Sequence, residues 1–360
     1  MKSFAEKFFS EREIPVGKSD QITPHDWYHL LSEHLNELNT YPHTNVGAPL
    51  EPTTLQRHHN ISTWFFRGQK DASYAFTSSL SRLLLSKNQN QNALSFEQTL
   101  QDAESLILKN ARSNGVGRGL TALETLTILQ HHGSPTRLID VTSDWRVALF
   151  FACENSFHTD GRLFLIKSKP NRWQEFPRLK DPKKAEEVLI WHDYDKNFSK
   201  TSGANPDYPW LSGVWPVLLP FTDSRMISQR GYFLVGGIPS PKGSVHLYTS
   251  ICDACGEKFC TCGQERYGQK QPKNYLNISE HREVSSFLIG FKADAKNFDS
   301  LKKSKMHKWT AIGYSIRIPA EFKPKLLEIL RQEGIYHDSI YPPLLEITRL
   351  SKYLAEKAFE

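Results

Sequence analysis

Ser62-Thr63-Trp64-Phe65-Phe66-Arg67-Gly68-Gln69 is the stretch on which the reading of the fold turns. β-Branched and aromatic side chains suit a pleated, packed surface. Residues 62–66 therefore read as a buried strand that ends at Arg67-Gly68-Gln69. Upstream, residues 40–60 carry Tyr41-Pro42, Gly47-Ala48-Pro49 and Pro52 and read as a loop. Before that, Thr23 is placed to cap a helix with Pro24 in its first turn. Trp27, Leu30, Leu31, His34 and Leu35 follow at helical spacing. Residues 1–20 are mixed and polar and read as a mobile leader.

Downstream, Ser95–Ala111 and Thr121–Gln130 read as helices, with a glycine-rich breaker at residues 115–119 between them. Arg137–Val141 reads as a second strand, Trp145–Cys153 as a buried helix and Arg162–Lys167 as a third strand. Residues 168–220 hold many Pro, Trp and Lys and read as irregular elaboration. Met226–Val235 reads as a strand broken by Gly231. Ser286–Phe291 and Tyr314–Ile318 read as strands, Pro319–Gln332 as a helix, and Ser339–Phe359 as carrying a last one. Strands and helices mix without regular β-α-β alternation, which predicts an α+β fold.

The chain has 360 residues, 39% of them hydrophobic and 12% aromatic, enough for a substantial core. No apolar run approaches membrane-spanning length, and the charged Met1–Lys7 segment lacks a signal-peptide core. A cytoplasmic protein with no membrane partner is expected. The net charge of +6 fits either a polyanion partner or ordinary solubilising charge.

Four of the five cysteines crowd together as Cys252, Cys255, Cys260 and Cys262. Four thiolates match a tetrahedral structural Zn²⁺ site, which would stabilise a small insertion without a core of its own. Because C-x-C spacing is less usual, His246 or His281 is an alternative ligand, and free loop cysteines are the plainer reading. Lys258, Arg266, Lys270 and Lys273, with Tyr267 and Tyr275 interleaved, suit single-stranded nucleic acid or a solvated basic loop.

Arg67 at a strand end suits bidentate binding of phosphate or carboxylate, or pairing with a buried acid. Gly68 permits close approach of a ligand to the backbone. Gln130, His131, His132, Thr136, Arg137, Asp140 and Thr142 lie in an otherwise apolar stretch. Buried polar groups are costly unless paired, so this cluster is an internal network or a site. His131 or His132 suits acid–base work; either is alternatively a satisfied core histidine. Adjacent helical residues point about 100° apart, so one of the two is expected to face a cleft.

Trp64-Phe65-Phe66-Arg67-Gly68-Gln69 resembles the motif that names the FRG domain family. Glu124–Thr142, with Ala148-Leu149-Phe150-Phe151-Ala152 after it, resembles that family's second signature. Arg225–Phe233 is similar to its glutamine-glycine-phenylalanine strand, and Ile318-Pro319-Ala320, Gly334-Ile335 and Tyr341-Pro342 to its closing helix and turn. The resemblance implies a leader and helix over residues 1–60, an FRG domain in two parts at 61–239 and 281–360, and a cysteine-rich insertion at 240–280.

Asp140-Val141-Thr142 and the apolar helix after it also look like the second motif of ADP-ribosyltransferases, whose first motif is an arginine or histidine closing the first strand. That likeness implies a mixed, split β-sheet core with flanking helices, carrying the small zinc-binding insertion. It implies NAD as substrate, with Arg67, Glu124, His132 and Thr142 as catalytic residues. Arg67, Gly68, Gln69, Gln130, Arg137, Asp140 and Gln229 would bind the dinucleotide. Two positions depart from the pattern: Asp140 stands where a serine is usual, and Gln229 where the catalytic glutamate is. A carboxylate must then come from elsewhere, from Glu124 or from Glu346. The expected function is an ADP-ribosyltransferase, a toxin acting on nucleic acid with RNA favoured, in antiviral defence or growth control and paired with an antitoxin. The alternatives are a non-catalytic nucleotide or nucleic-acid binding module and a nuclease using His131 or His132 with Asp140.

Overall fold

The computed structural model describes residues 3–17, 22–38, 63–87, 93–168, 189, 214–217, 224–237, 276, 278–292, 297–303 and 311–342. Its strands are β1 (Thr63–Gln69), β2 (Ile139–Thr142), β3 (Gly161–Ser168), β4 (Val214–Val217), β5 (Gly231–Gly236), β6 (Gly290–Phe291) and β7 (Ala311–Ile318). Helices α1 (Phe4–Ser10) and α2 (Pro24–Leu35) precede β1. Three helices, α3 (Ser79–Lys87), α4 (Ala93–Ser113) and α5 (Ala122–His131), lie between β1 and β2, and α6 (Trp145–Cys153) follows β2. Then come α7 (Ser224–Ser228), α8 (Ile278–Val284), α9 (Asp299–Lys303), α10 (Lys323–Gln332) and α11 (His337–Ile340).

The strands form one sheet in the order β4-β5-β2-β1-β3-β7-β6. All neighbours are antiparallel except β6 and β7, so the fold is mixed α+β. β1 pairs with β3 along its whole length but meets β2 at one registered pair, Phe66 with Thr142. The sheet is thus joined at its middle by a short seam.

Successive side chains of a strand point to opposite faces, and β1 is apolar on both. Trp64 and Phe66 pack with α6 and α2, while Phe65 packs with Phe164 and the Phe8–Phe9 pair of α1. Helix α6 is apolar nearly all round, the mark of a helix enclosed by the core. Its Val147, Ala148, Leu149, Ala152 and Cys153 are buried. Gly68 is what lets α6 come so close: a Cβ there would lie 1.7 Å from the Ala148 carbonyl oxygen. The close approach that Gly68 permits is thus first of all that of α6.

Residues 3–17, within the stretch expected to be a mobile leader, are instead packed on the core. Ser3 caps α1 by accepting a hydrogen bond from the Glu6 N–H, and Phe9 stacks edge-on against Phe164 and Phe291 with centroids 4.9 and 5.0 Å away. A seven-residue helix is not stable alone; burial of these rings holds it. Thr23 caps α2 as the sequence suggests, accepting from the Asp26 N–H at 3.1 Å.

Three other expectations change. Within 168–220, residues 214–217 form edge strand β4, where Pro216 needs no outward ladder donor. The segment 226–235 is not one broken strand: Arg230 adopts a left-handed φ of 47° and turns α7 into β5. The strand expected at 286–291 shrinks to Gly290–Phe291, because the Ser285 hydroxyl bonds the Phe287 backbone and the Leu288 N–H goes to the Gly237 carbonyl. Helix α3 had no counterpart in the sequence reading. Among the described residues no helix is long and apolar enough to cross a membrane.

Candidate functional site

The short seam between β1 and β2 opens onto a cleft of about 1280 Å³. Arg67, Gly68 and Gln69 come to it from β1, and Asp140 and Thr142 from β2. Gln130, His131 and His132 come from the end of α5, and Gln229 from the turn before β5. The pieces that the sequence singled out thus meet in one hollow. Its size exceeds the 300–1,000 Å³ range of ordinary small-molecule sites.

Arg67 is the centre of this wall. Its side chain is 17% exposed, and the Nη1 group donates to the Asp140 carbonyl oxygen at 2.6 Å and stands 3.6 Å from the Asp140 carboxylate. The Nε–H is buried and has no acceptor among the described residues. Burial lowers the Arg67 pKa, the Asp140 charge raises it, and Arg82 lowers it again. A guanidinium remains charged throughout the biological range, so the site presents a fixed cation.

Asp140 is shared. Its Oδ2 also accepts from Gln130 Nε2 at 2.8 Å. Gln130 Oε1 accepts from the Thr136 hydroxyl at 2.8 Å, whose oxygen accepts the Leu138 N–H at 3.0 Å. This chain of bonds satisfies the buried Thr136 and ties it through half-buried Gln130 to the exposed Asp140. Thr142 is buried, lines the cleft, and accepts the Asp144 N–H at 3.0 Å. Asp144 in turn caps α6 and pairs with Arg230 at 2.8 Å, tying the turn before β5 to the second signature.

Two residues from the sequence-derived set stand elsewhere. Arg137 is buried, with its guanidinium held by Glu104 and Glu97 of α4, each at 2.9 Å. Burial opposes its charge, but the two glutamates more than offset that and raise its pKa. It is a core arginine that fastens α4 to the chain entering β2, and it does not line the cleft. Glu124 also lies off the cleft. Its carboxylate accepts from the Thr121 N–H at 2.7 Å and hydroxyl at 2.8 Å, while Thr121 accepts the Glu124 N–H, a reciprocal capping box at the start of α5.

The others are intermediate. Gln69 lines the cleft but spends its amide on the Ala75 carbonyl at 2.9 Å, and Gln229 donates to the Ile340 carbonyl at 3.3 Å. Both adjacent histidines face the hollow, their rings edge to face with centroids 5.2 Å apart. The expectation that one would point away fails because the helix ends there, with His132 as its C-cap.

Several cleft residues were missed. Arg82, on the unpredicted α3, lies close enough to Asp140 and Arg67 for their charges to act on one another. Lys70 and Arg225 add two more basic side chains, so among the described residues lining the cleft four basic side chains stand with two carboxylates, Asp140 and Glu154. Glu154 stands two residues after the apolar run 148–152, past Cys153, and this position was its only signal in the sequence. It accepts from the Tyr341 hydroxyl at 3.1 and 3.2 Å. Burial raises the Glu154 pKa, with the Tyr341 hydrogen bond and the charges of His337, Lys70 and Arg225 opposing it. Burial and the Glu154 charge push Tyr341 up to about 12.

Cys252, Cys255, Cys260, Cys262, His246 and Glu346 lie outside the described residues, as do the basic residues 258–273 and both interleaved tyrosines. Among the described residues no group of three or more His, Cys, Asp or Glu side chains is arranged to hold a metal. His281 is buried on α8.

Residues 62–161 match the model of the FRG domain. No curated protein matches the chain, and no solved structure does. The matched stretch carries Arg67, the Gln130–Thr142 segment and α6 together, so the chain contains a segment that matches the FRG domain.

Proposed function

We propose that the cleft binds an NAD-type dinucleotide and transfers its ADP-ribosyl group, on a split sheet of ADP-ribosyltransferase type. The observation that carries this reading is the convergence of Arg67 and Thr142 on a single hollow large enough for a dinucleotide. Arg67 would hold the pyrophosphate through the part of its guanidinium exposed to the cleft, supported by Arg82, because guanidinium groups match phosphate oxygens. Thr142 would support the nicotinamide half. The excess of cations in the cleft favours a ligand carrying phosphates.

The acceptor in this reading is nucleic acid, RNA favoured, and the biological role is a toxin in defence or growth control, neutralised by an antitoxin protein. The cysteine cluster would hold a structural Zn²⁺, with the basic residues near it guiding the acceptor. The decisive experiment is incubation of the full chain with labelled NAD. Label on RNA, DNA or protein with release of nicotinamide supports the reading. Absence of both transfer and release counts against it.

A second reading is a non-catalytic nucleotide or nucleic-acid binding module. It is favoured by Gln229, whose amide is no base, and by Asp140, whose carboxylate is held by Gln130 and Arg67. Dinucleotide binding without chemistry would select it. Cleavage of RNA without NAD would instead select a histidine-dependent nuclease.

A further inference from the structure

The two carboxylates that line the cleft are in unlike situations. Asp140 is committed: an amide at 2.8 Å and a guanidinium at 3.6 Å hold its Oδ2. Glu154 is held by one neutral donor, the Tyr341 hydroxyl. That hydroxyl reaches it across 187 positions of the chain, so the residue that caps the end of α11 sets the carboxylate's direction. The Tyr341 ring is itself fixed, packed edge-on against Phe151 and covered by the Arg225 guanidinium 5.3 Å from its centroid.

We infer that Glu154, oriented by Tyr341, is the general base that activates the incoming nucleophile in this cleft. The inference rests on reading the cleft as a site of ADP-ribosyl transfer, and it supplies the carboxylate that Gln229 cannot. A general base must be ionisable, in the cleft and free of a permanent cationic partner at bonding distance. Of the two carboxylates among the described residues lining the cleft, Glu154 meets all three conditions and Asp140 fails the third.

The step balances as follows. The oxygen of a water molecule or an acceptor hydroxyl forms a bond to the anomeric carbon C1′ of the dinucleotide. The bond from C1′ to the pyridinium nitrogen breaks, and its electron pair leaves with nitrogen, so nicotinamide departs neutral. The proton of the nucleophile passes to a Glu154 carboxylate oxygen and from there to solvent. Tyr341 is a positioning residue. Its hydrogen bond stabilises the ionised carboxylate and so counters the upward push that burial gives the Glu154 pKa.

The test uses the full chain, NAD as probe and water as nucleophile, with dinucleotide affinity and nicotinamide release measured separately. Glu154→Gln keeps the shape of the side chain. Its expected result is unchanged dinucleotide affinity with release slowed by about 10²- to 10⁴-fold, the span of general-base catalysis. Tyr341→Phe is expected to move the acid limb of the pH profile to higher pH, because the ionised base loses its hydrogen bond. Release by Glu154→Gln at the wild-type rate overturns the inference and leaves the reading of the cleft standing. An acid limb unmoved in Tyr341→Phe overturns the positioning role. A wild-type chain that binds NAD but releases no nicotinamide overturns the base; one that does not bind it overturns the cleft reading as well.

Discussion

Arg67 and Asp140 meet across the seam of the sheet: the guanidinium donates to the Asp140 carbonyl at 2.6 Å and lies 3.6 Å from its carboxylate. One side chain thereby bridges β1 and β2 beside their single registered pair, Phe66 with Thr142. The bond to the carbonyl holds the guanidinium in place and leaves Nε–H buried and unspent. A strand junction and an anion-binding group are built from the same atoms.

Arg67→Ala is expected to weaken dinucleotide binding roughly tenfold to a hundredfold, the worth of a hydrogen bond to a charged group. Arg67→Lys restores the charge but not the planar fork, so recovery is partial. Titration calorimetry with NAD measures both. Unchanged affinity in Arg67→Ala removes Arg67 from the binding wall.

Arg137→Ala should act on stability instead. Removing one partner leaves Glu97 and Glu104 facing each other without their cation, a loss of about 3–5 kcal/mol for a broken buried pair. Urea denaturation reads this directly. Dinucleotide affinity per folded molecule should not move.

Glu124→Ala removes half of the capping box of α5 and is expected to cost about 1 kcal/mol, typical of a lost cap. Any nicotinamide release should persist at the wild-type rate. Loss of release at wild-type stability would return Glu124 to the chemistry.

Gly68→Ala forces a methyl group onto the Ala148 carbonyl. Neither β1 nor α6 has room to retreat, since both are enclosed by core residues. The variant should be destabilised by more than the usual 1–3 kcal/mol of an overpacked core. Its melting temperature and soluble yield check this.

His281 sets a pH dependence. Burial lowers its pKa from 6.5 to about 4, so the unfolded chain takes up the proton first as pH falls. The stability that neutral His281 contributes is complete above pH 6.5 and is lost between there and about pH 4. The full loss is on the order of 3 kcal/mol. Replacing His281 by Leu should flatten the stability profile in that window, measured by urea midpoints from pH 4 to 8. A profile as steep as wild type would place the titrating group elsewhere.

The sequence by itself determined the local pieces of this protein. The aromatic and β-branched run before Arg67, the apolar run of α6 and the Thr23 and Pro24 start of α2 each carry their structure in residue type and spacing. The stretch that matches the FRG domain likewise carries Arg67, Asp140, Thr142 and Glu154 of the cleft lining. Only the tertiary structure decided which polar residues are spent and which are free. Arg67 follows an apolar run in the chain and Arg137 precedes one, yet α4 brings two glutamates to Arg137, while Arg67 lines the cleft with a buried Nε–H that has no acceptor among the described residues. Glu124 is consumed by its own helix cap. Glu154 acquires its partner from the far end of the described chain. The physical reason is range: periodicity and capping act over a few residues, whereas desolvation and charge pairing depend on whatever the fold packs alongside.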